Sequence, residues 1–419
     1  MDILREKLAN GVYFSHIKND KYKTARLSVN FVSQIDRKNV TERSLLMSML
    51  RQDTLEFKDY SELNMVLSEL YGASLYSDTA KIGDIHLLTV GSTFLNDSAL
   101  PDGERVTYRM AEILNGVVFN PVCKEREFSK ELLIVEKENL KEAILSEIND
   151  KKRYALKRAI EIYFENEPYS VPSDGIAEEL DKITGQDLCH AYNDIVRSAA
   201  IEIVYDGNED PEEIKKLFAN SFSKISERDP VYPSNNPMKK RETITVNEKM
   251  DVLQAKEVML FSAPSETDSA VLRVLSALYG GSPFSMLFKE VREKRSLCYY
   301  CSASFARSKN MIIVESGVDT SKISEAEKAI LGELKKIAEG NFSDEELENT
   351  KQYLYGLYKT TEDSPSAFYS RYLSDIVLRS ESFSKEAEKI IAVKREDVIS
   401  AAAKTVLSEI YCLSAGGEE

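Results

Sequence analysis

The side chains able to do chemistry are few and scattered in this 419-residue chain. Its histidines are His16, His86 and His190, far apart in sequence. A helical zinc site needs two imidazoles one turn apart on the same face, and no two of these histidines satisfy that spacing. Neither the Gly-x-Ser-x-Gly nucleophile turn nor a phosphate-binding glycine loop occurs. We therefore predict that each histidine is structural and that the chain builds no metal site by itself.

The five cysteines give a similarly weak signal. Their number is odd and their positions are scattered, so we predict no disulfide bonds and a reducing compartment. Cys298 and Cys301 have the Cys-x-x-Cys spacing of redox pairs and zinc knuckles. Residues 297–305 have the pattern of a strand, in which side chains three apart point to opposite faces. This favours two ordinary buried strand cysteines.

The composition is that of a folded soluble protein, with 42% hydrophobic and 30% charged residues. The net charge of −15 argues against a surface that follows nucleic-acid phosphates. Residues 1–7 lack the basic and then apolar run of a secretory signal, and charges interrupt every apolar stretch. We expect a cytoplasmic protein that binds neither nucleic acid nor membrane.

The elements that would position any site are duplicated along the chain. The second half repeats the landmarks of the first at an offset of roughly 210 to 227 residues. Phe128 and Ser129 open a long helix in the first half, and Phe342 and Ser343 open one in the second. Both serines are predicted N-caps. The two halves should therefore share one topology.

A proline-rich stretch separates the halves. Residues 228–237 contain three prolines and no periodic pattern, which indicates a linker. We place an N-terminal lobe at 1–225, the linker at 226–245 and a C-terminal lobe at 246–419. Each lobe mixes alternating strands with long amphipathic helices, so we predict an α+β fold with a mostly antiparallel sheet in each lobe.

The second half carries a family resemblance. Residues 280–299 read GGSPFSMLFKEVREKRSLCY. This run resembles the second-domain signature of the pitrilysin and insulinase family of zinc metallopeptidases, and the duplicated lobes extend the resemblance over the whole chain. It implies two lobes arranged as a clamshell that closes around unfolded peptides. It also implies zinc held by an inverted His-x-x-Glu-His motif on a first-lobe helix and by a glutamate on a later helix.

The zinc motif itself is missing. By the resemblance, Leu45, Ser48 and Met49 stand where the family has His, Glu and His. The local sequence still predicts a helix, with Asn39 and Glu42 as a capping box. A leucine and a thioether cannot hold Zn²⁺ as imidazoles do, and a serine offers no carboxylate as general base. No peptidase activity is expected of this lobe alone.

The third ligand is also doubtful. The resemblance places it at Glu142 or Ala143, and one carboxylate cannot make a tight zinc site alone. We expect Glu142 to be a solvated helix residue and the chain to carry no cofactor. Residues 149–155 and 167–170 resemble a bacterial branch of the family that lacks the zinc motif. Members of that branch are often named for aminopentanol modification of elongation factor P, a chemistry to which no residue here points.

By the resemblance, one pair of the family's substrate-binding residues is retained. The family uses a second-lobe arginine and tyrosine, seven residues apart, to hold substrate near the metal. Arg292 and Tyr299 match that spacing. The alternative is structural, with Arg292 on a solvated helix end and Tyr299 packed as a strand aromatic.

Two functional hypotheses follow from the resemblance. In the first, the chain forms one half of a peptide-binding chamber and supplies Arg292 and Tyr299 to a heterodimeric peptidase. A related subunit with the zinc motif would then be its partner and a peptide its substrate. In the second, the chain is a stand-alone, non-catalytic peptide-binding or scaffold protein. An autonomous zinc peptidase would need ligands that the histidine inventory lacks.

Overall fold

Two compact units make up the chain. The computed structural model describes residues 2–57, 59–101, 103–124, 127–225 and 227–416. The first unit comprises the residues up to Ser146 together with Val171–Ser234, and the second comprises Glu147–Ser170 and Asn235–Glu419. Each unit has its own sheet and its own hydrophobic core.

The first unit is built on a six-stranded sheet in the order β1-β2-β6-β3-β5-β4. All neighbouring pairs are antiparallel except β2 and β6. The strands are β1 Asp2–Ala9, β2 Val12–Lys18, β3 Thr24–Gln34, β4 Ser74–Ile82, β5 Ile85–Leu95 and β6 Ala200–Gly207.

Helices supply the other side of the first core. Residues such as Leu45 and Met49 from α1 and Ile113 from α3 pack in one cluster with Leu27 and Phe31 of β3. Burial of these apolar side chains is the main term that holds the sheet to its helices. The helices are α1 Val40–Gln52, α2 Tyr60–Glu69, α3 Val106–Phe119, α4 Lys130–Ser146, α6 Gly185–Ser198 and α7 Glu212–Ser223.

The second unit is built on a five-stranded sheet in the order β7-β11-β8-β10-β9. Only β7 and β11 are parallel. The strands are β7 Ile244–Lys249, β8 Ala255–Ser262, β9 Cys298–Ala306, β10 Met311–Val318 and β11 Val406–Ser414.

Helices cover both faces of the second sheet. One face packs against a cluster that includes Leu272, Ile330 and Val398 of α8, α9 and α13. The opposite face packs against α5 through Ala155, Ala159 and other apolar residues. The helices are α5 Lys151–Tyr163, α8 Ser269–Ser276, α9 Ile323–Ala338, α10 Asp344–Thr361, α11 Pro365–Val377, α12 Phe383–Ala392 and α13 Arg395–Lys404, with π-helical turns at Ala277–Gly281 and Leu287–Lys294.

The two sheets share one topology. When the last five strands of each unit are numbered in chain order, both sheets read first, fifth, second, fourth, third, and in both the first and fifth strands are parallel. The extra strand β1 sits on the edge of the first sheet. The predicted α+β fold with two homologous, mostly antiparallel lobes is confirmed.

The lobe boundaries differ from those expected. The segment Glu147–Ser170, assigned by sequence to the lobe at 1–225, belongs to the second unit. Its apolar side chains, including Tyr163 and Phe164, pack on the second sheet. The linker stretch 227–243 has neither helix nor strand, and β7 begins at Ile244.

Two local expectations about helix starts had different outcomes. Ser343 caps α10 in a capping box with Glu346, as expected. The capping box expected for α1 is wrong, because the Asn39 side chain makes no cap hydrogen bond. There, the backbone turns before the helix, with the Val40 N–H donating to the Asp36 carbonyl at 3.0 Å.

The expectation of no disulfide bond is also wrong. Cys123 and Cys189 are joined, with their Cα atoms 5.3 Å apart across a sequence separation of 66 residues. Cys123 lies just beyond α3 and Cys189 lies on α6, so packing of these elements brings the two together. Spacing along the chain cannot reveal a pair that tertiary packing makes.

Within the part of the chain that is described, no helix combines the length and hydropathy needed to cross a bilayer.

Candidate substrate-binding site and the altered metal centre

Helix α1 carries the positions predicted to replace the zinc motif. Leu45 and Met49 are fully buried in the first core, and Ser48 is only partly buried. A placement one residue earlier would put Ser44, Met47 and Ser48 at the same His-x-x-Glu-His spacing. Hydroxyls and a thioether are no better zinc ligands than a leucine. The side chains on this helix therefore do not fit the metal.

Helix α4 approaches α1 through a residue that sequence reasoning missed. Glu136 is buried, and its Oε1 accepts from the Gln52 Nε2 of α1 at 3.3 Å and from the Asn139 Nδ2 at 3.3 Å. Glu142 and Ala143, the positions expected from the resemblance, are exposed. The helical period of the sequence could have identified Glu136, because it lies on the same buried face of α4 as Leu133 and Leu140.

The histidines contribute to structure in separate places. The Nε2–H of His16 donates to the Gly207 carbonyl at 3.0 Å, and that of His86 donates to the Ser173 carbonyl at 3.0 Å. Burial lowers the pKa of His86 to about 4, so it is neutral at physiological pH. His190 is exposed on α6. Among the described residues, no three His, Cys, Asp or Glu side chains converge in a way suited to a metal ion.

Arg292 and Tyr299 both reach solvent in the second unit. Arg292 lies on the last turn of the Leu287–Lys294 helix, with its guanidinium 4.8 Å from the Phe288 ring centroid. Its side chain is 43% exposed, and its Nε lies 3.9 Å from Glu293 Oε1. Tyr299, near the start of β9, is 59% exposed. Tyr299 is therefore not packed as a strand aromatic, whereas Arg292 does lie on a solvent-exposed helix end, as the structural alternative had it.

A tight turn links the two residues. Ser296 adopts φ +50, and its N–H donates to the Arg292 carbonyl at 3.1 Å. The next residue, Leu297, donates its N–H to the Val291 carbonyl at 3.1 Å. The helix thus ends and the strand begins within a few residues, which holds Arg292 and Tyr299 at one end of β9.

A β-bulge turns Tyr299 outward. In the pairing of β9 with β10, Tyr300 is opposite Gly317 and Cys298 is opposite Val318, which leaves Tyr299 as an extra residue. A bulge of this kind reverses the alternation of faces along a strand. Cys298 and Cys301 consequently lie on the same face in the second core, and the expectation of opposite faces is wrong. Both are buried, as expected.

Gly280 and Gly281 have no side chains, which lets the backbone of the preceding helical turn pack closely against β9. A Cβ at Gly280 would lie 2.6 Å from the Ala303 nitrogen, and one at Gly281 would lie 3.0 Å from the Ala303 oxygen. The glycines of the GGSPF run are therefore required for close packing behind β9.

The comparisons with known proteins agree with this architecture. A family model described as "Peptidase M16 inactive domain" matches residues 182–354. The "Probable inactive metalloprotease YmfF" of Bacillus subtilis is 27% identical over 415 residues, which is 97% of each chain. Residues 182–354 are therefore similar to the M16 peptidase family, and the whole chain is similar to a relative named as a probable inactive metalloprotease. The resemblance to the pitrilysin and insulinase peptidases is confirmed.

Solved structures support the same fold. A "conserved protein from Enterococcus faecalis V583" superposes with a TM-score of 0.88 at 27% identity, with both chains fully covered. A "peptidase M16 inactive domain from Pseudomonas fluorescens" superposes with a TM-score of 0.80 at 14% identity, covering 100% of this chain and 99% of the other. The second likeness is one of fold alone.

Proposed function

We propose that this M16 homologue is the zinc-free half of a two-subunit peptidase. It forms one wall of a peptide-binding chamber and contributes Arg292 and Tyr299, while a related subunit with His-x-x-Glu-His contributes zinc and the general base. The observation that carries the proposal is a contrast between the units. Helix α1 of the first unit has a leucine and a methionine in the core where ligands would be, yet Arg292 and Tyr299 of the second unit are exposed.

The two side chains suit the binding of a peptide during hydrolysis. The planar guanidinium of Arg292 can donate two hydrogen bonds to a peptide carbonyl or to a terminal carboxylate. The Tyr299 hydroxyl can donate to the oxygen that gains negative charge as the peptide bond is attacked. The net charge of −15 favours basic peptides as substrates, because opposite charges attract across a cleft.

The proposal is tested by metal analysis and a peptidase assay on the purified chain, alone and mixed with a related subunit that has the zinc motif. We expect no stoichiometric zinc and no cleavage by this chain alone, and cleavage by the mixture. In the mixture, Tyr299→Phe should lower kcat by roughly 100-fold, the usual effect of removing one donor to a developing oxyanion. Arg292→Ala should mainly raise KM, because it removes contacts to the bound peptide.

Arg295→Ala is the matched control, since Arg295 is an exposed arginine three residues from Arg292. It should leave kcat and KM unchanged. If Arg292→Ala and Tyr299→Phe are equally silent, the assigned roles are wrong. Stoichiometric zinc together with cleavage by the chain alone would refute the proposal. Peptide binding that needs no second subunit and leads to no cleavage would instead establish the stand-alone peptide-binding protein.

A further inference from the structure

Cys298 and Cys301 lie on the same buried face of β9, on either side of the bulge. The extra residue Tyr299 puts both cysteines on the inner face of β9, where they are 8% and 6% exposed. Both side chains belong to the same buried cluster, and each thiol shifts the pKa of the other. A regular strand would have pointed them to opposite faces, so the bulge creates the pair.

The surroundings make the two thiols chemically unequal. The neighbouring Cys301 thiol lowers the pKa of Cys298 against the opposing effect of burial, and the charge of Arg292 lowers it further. The Cys298 thiol raises the pKa of Cys301 well above its usual value, and burial adds to that rise. Cys298 is therefore the thiol that more readily becomes a thiolate, the form that reacts with oxidants.

A buried carboxyl lies in the same row of the sheet as Cys301, two strands away. Glu257 of β8 is opposite Ser316 in the sheet, and Ser316 is opposite Cys301. The Ser316 hydroxyl donates to Glu257 Oε2 at 3.2 Å, and Oε1 has no hydrogen-bond partner among the described residues. Burial raises the pKa of Glu257 to about 8, so near neutral pH this group can both give and take a proton.

We propose that Cys298 and Cys301 are a redox-active dithiol that a peroxide oxidises to an intramolecular disulfide spanning Tyr299. The Cys298 thiolate attacks the peroxide oxygen and becomes a sulfenic acid, and the other oxygen leaves as water once it is protonated. Cys301 then loses its thiol proton and attacks the Cys298 sulfur, which releases a second water. Two thiols and one hydrogen peroxide thus give one disulfide and two waters. This site does not depend on the proposed function.

The test uses the full chain, with Cys123 and Cys189 left in place. The chain is reduced under native conditions, freed of reductant, treated with an equimolar amount of hydrogen peroxide and then denatured in the presence of N-ethylmaleimide. Trypsin releases residues 296–307, which contain both cysteines, as one peptide. We expect this peptide to be unalkylated and lighter by two hydrogen atoms, and to regain both alkylation sites after dithiothreitol.

Cys412 is the matched control, since it is a buried free cysteine in the same sheet, opposite Glu257. It should be alkylated with or without peroxide. In Cys301→Ser, Cys298 should stop at a sulfenic acid that dimedone traps, and in Cys298→Ser the 296–307 peptide should stay reduced. Recovery of a wild-type 296–307 peptide that is doubly alkylated, or oxidised to a sulfinic acid without a disulfide, would overturn the proposal.

Discussion

At the scale of single residues, the second unit holds two buried carboxyls in opposite charge states. Glu386 is 1% exposed and pairs with Arg273, Arg307 and Arg371. Burial alone would raise its pKa, but Arg273, a hydrogen bond from Tyr358 and the other two arginines lower it to about 2. Glu386 is therefore charged at all pH values at which the protein is expected to work.

Glu409 of β11 is the opposite case and gives a pH prediction. It is fully buried, neither carboxyl oxygen has a hydrogen-bond partner among the described residues, and burial raises its pKa to about 8. The unfolded chain ionises this group near pH 4.5, whereas the folded chain keeps it protonated up to about pH 8. Its stabilising contribution is therefore full below pH 4.5 and is lost as the pH rises, by about 1 kcal/mol per pH unit between pH 5 and 8.

Glu409→Gln should remove that dependence. Measured by urea unfolding, the variant should match the wild type near pH 5 and be more stable near pH 8, because the amide cannot ionise. Glu257, whose pKa is also about 8, leaves a residual slope in both proteins. Glu386→Gln is the contrast, since it should cost about 3 kcal/mol at pH 5 and at pH 8 alike by removing the buried carboxylate that pairs with three partly buried arginines. Parallel pH profiles for Glu409→Gln and the wild type would show that Glu409 is not buried in its neutral form.

At the scale of elements, the glycine pair behind β9 gives a packing prediction. Gly280→Ala should lower the free energy of unfolding by about 1 to 3 kcal/mol, because its Cβ would meet the Ala303 backbone. Gly332→Ala is the control on α9, where a Cβ meets nothing within 4 Å. It should instead stabilise the chain by up to about 1 kcal/mol through helix propensity. If both variants change stability by the same amount in chemical denaturation, close packing is not the reason for glycine at position 280.

The elements also show which parts of the structure the sequence could predict. The Ser343 cap could be predicted because it depends on residues close in sequence. The shared topology could be predicted because the same local patterns occur in the same order in both halves. The bulge at Tyr299 could not be predicted from alternation alone. It depends on the register with β10, where Gly317 leaves room for the Tyr300 ring. For the same reason Cys298 and Cys301 were expected on opposite faces of the strand.

At the scale of the whole molecule, the chain crosses between its two units more than once. The segment Glu147–Ser170 lies between two stretches of the first unit in sequence, but it belongs to the second unit. Its aromatic residues, Tyr163, Phe164 and Tyr169, pack with strand residues such as Leu260 and Tyr411. Helix amphipathicity shows that a helix is buried, but it does not show which sheet covers it. The lobe boundary expected from sequence was set by the internal repeat, and the repeat does not show which unit the segment packs on.

This crossing makes the second unit depend on a segment that lies far before it in the chain. A fragment of residues 235–419 lacks α5, so one apolar face of its sheet is left uncovered. Each missing aromatic would bury about 150–250 Å², which is too much apolar surface to expose without consequence. We expect the fragment to bind the dye ANS and to unfold non-cooperatively. A synthetic peptide of residues 147–170 should suppress the dye binding, whereas the same peptide with Tyr163 and Phe164 changed to serine should not. A fragment that melts cooperatively and ignores both peptides would mean that the second sheet is stable without the covering helix.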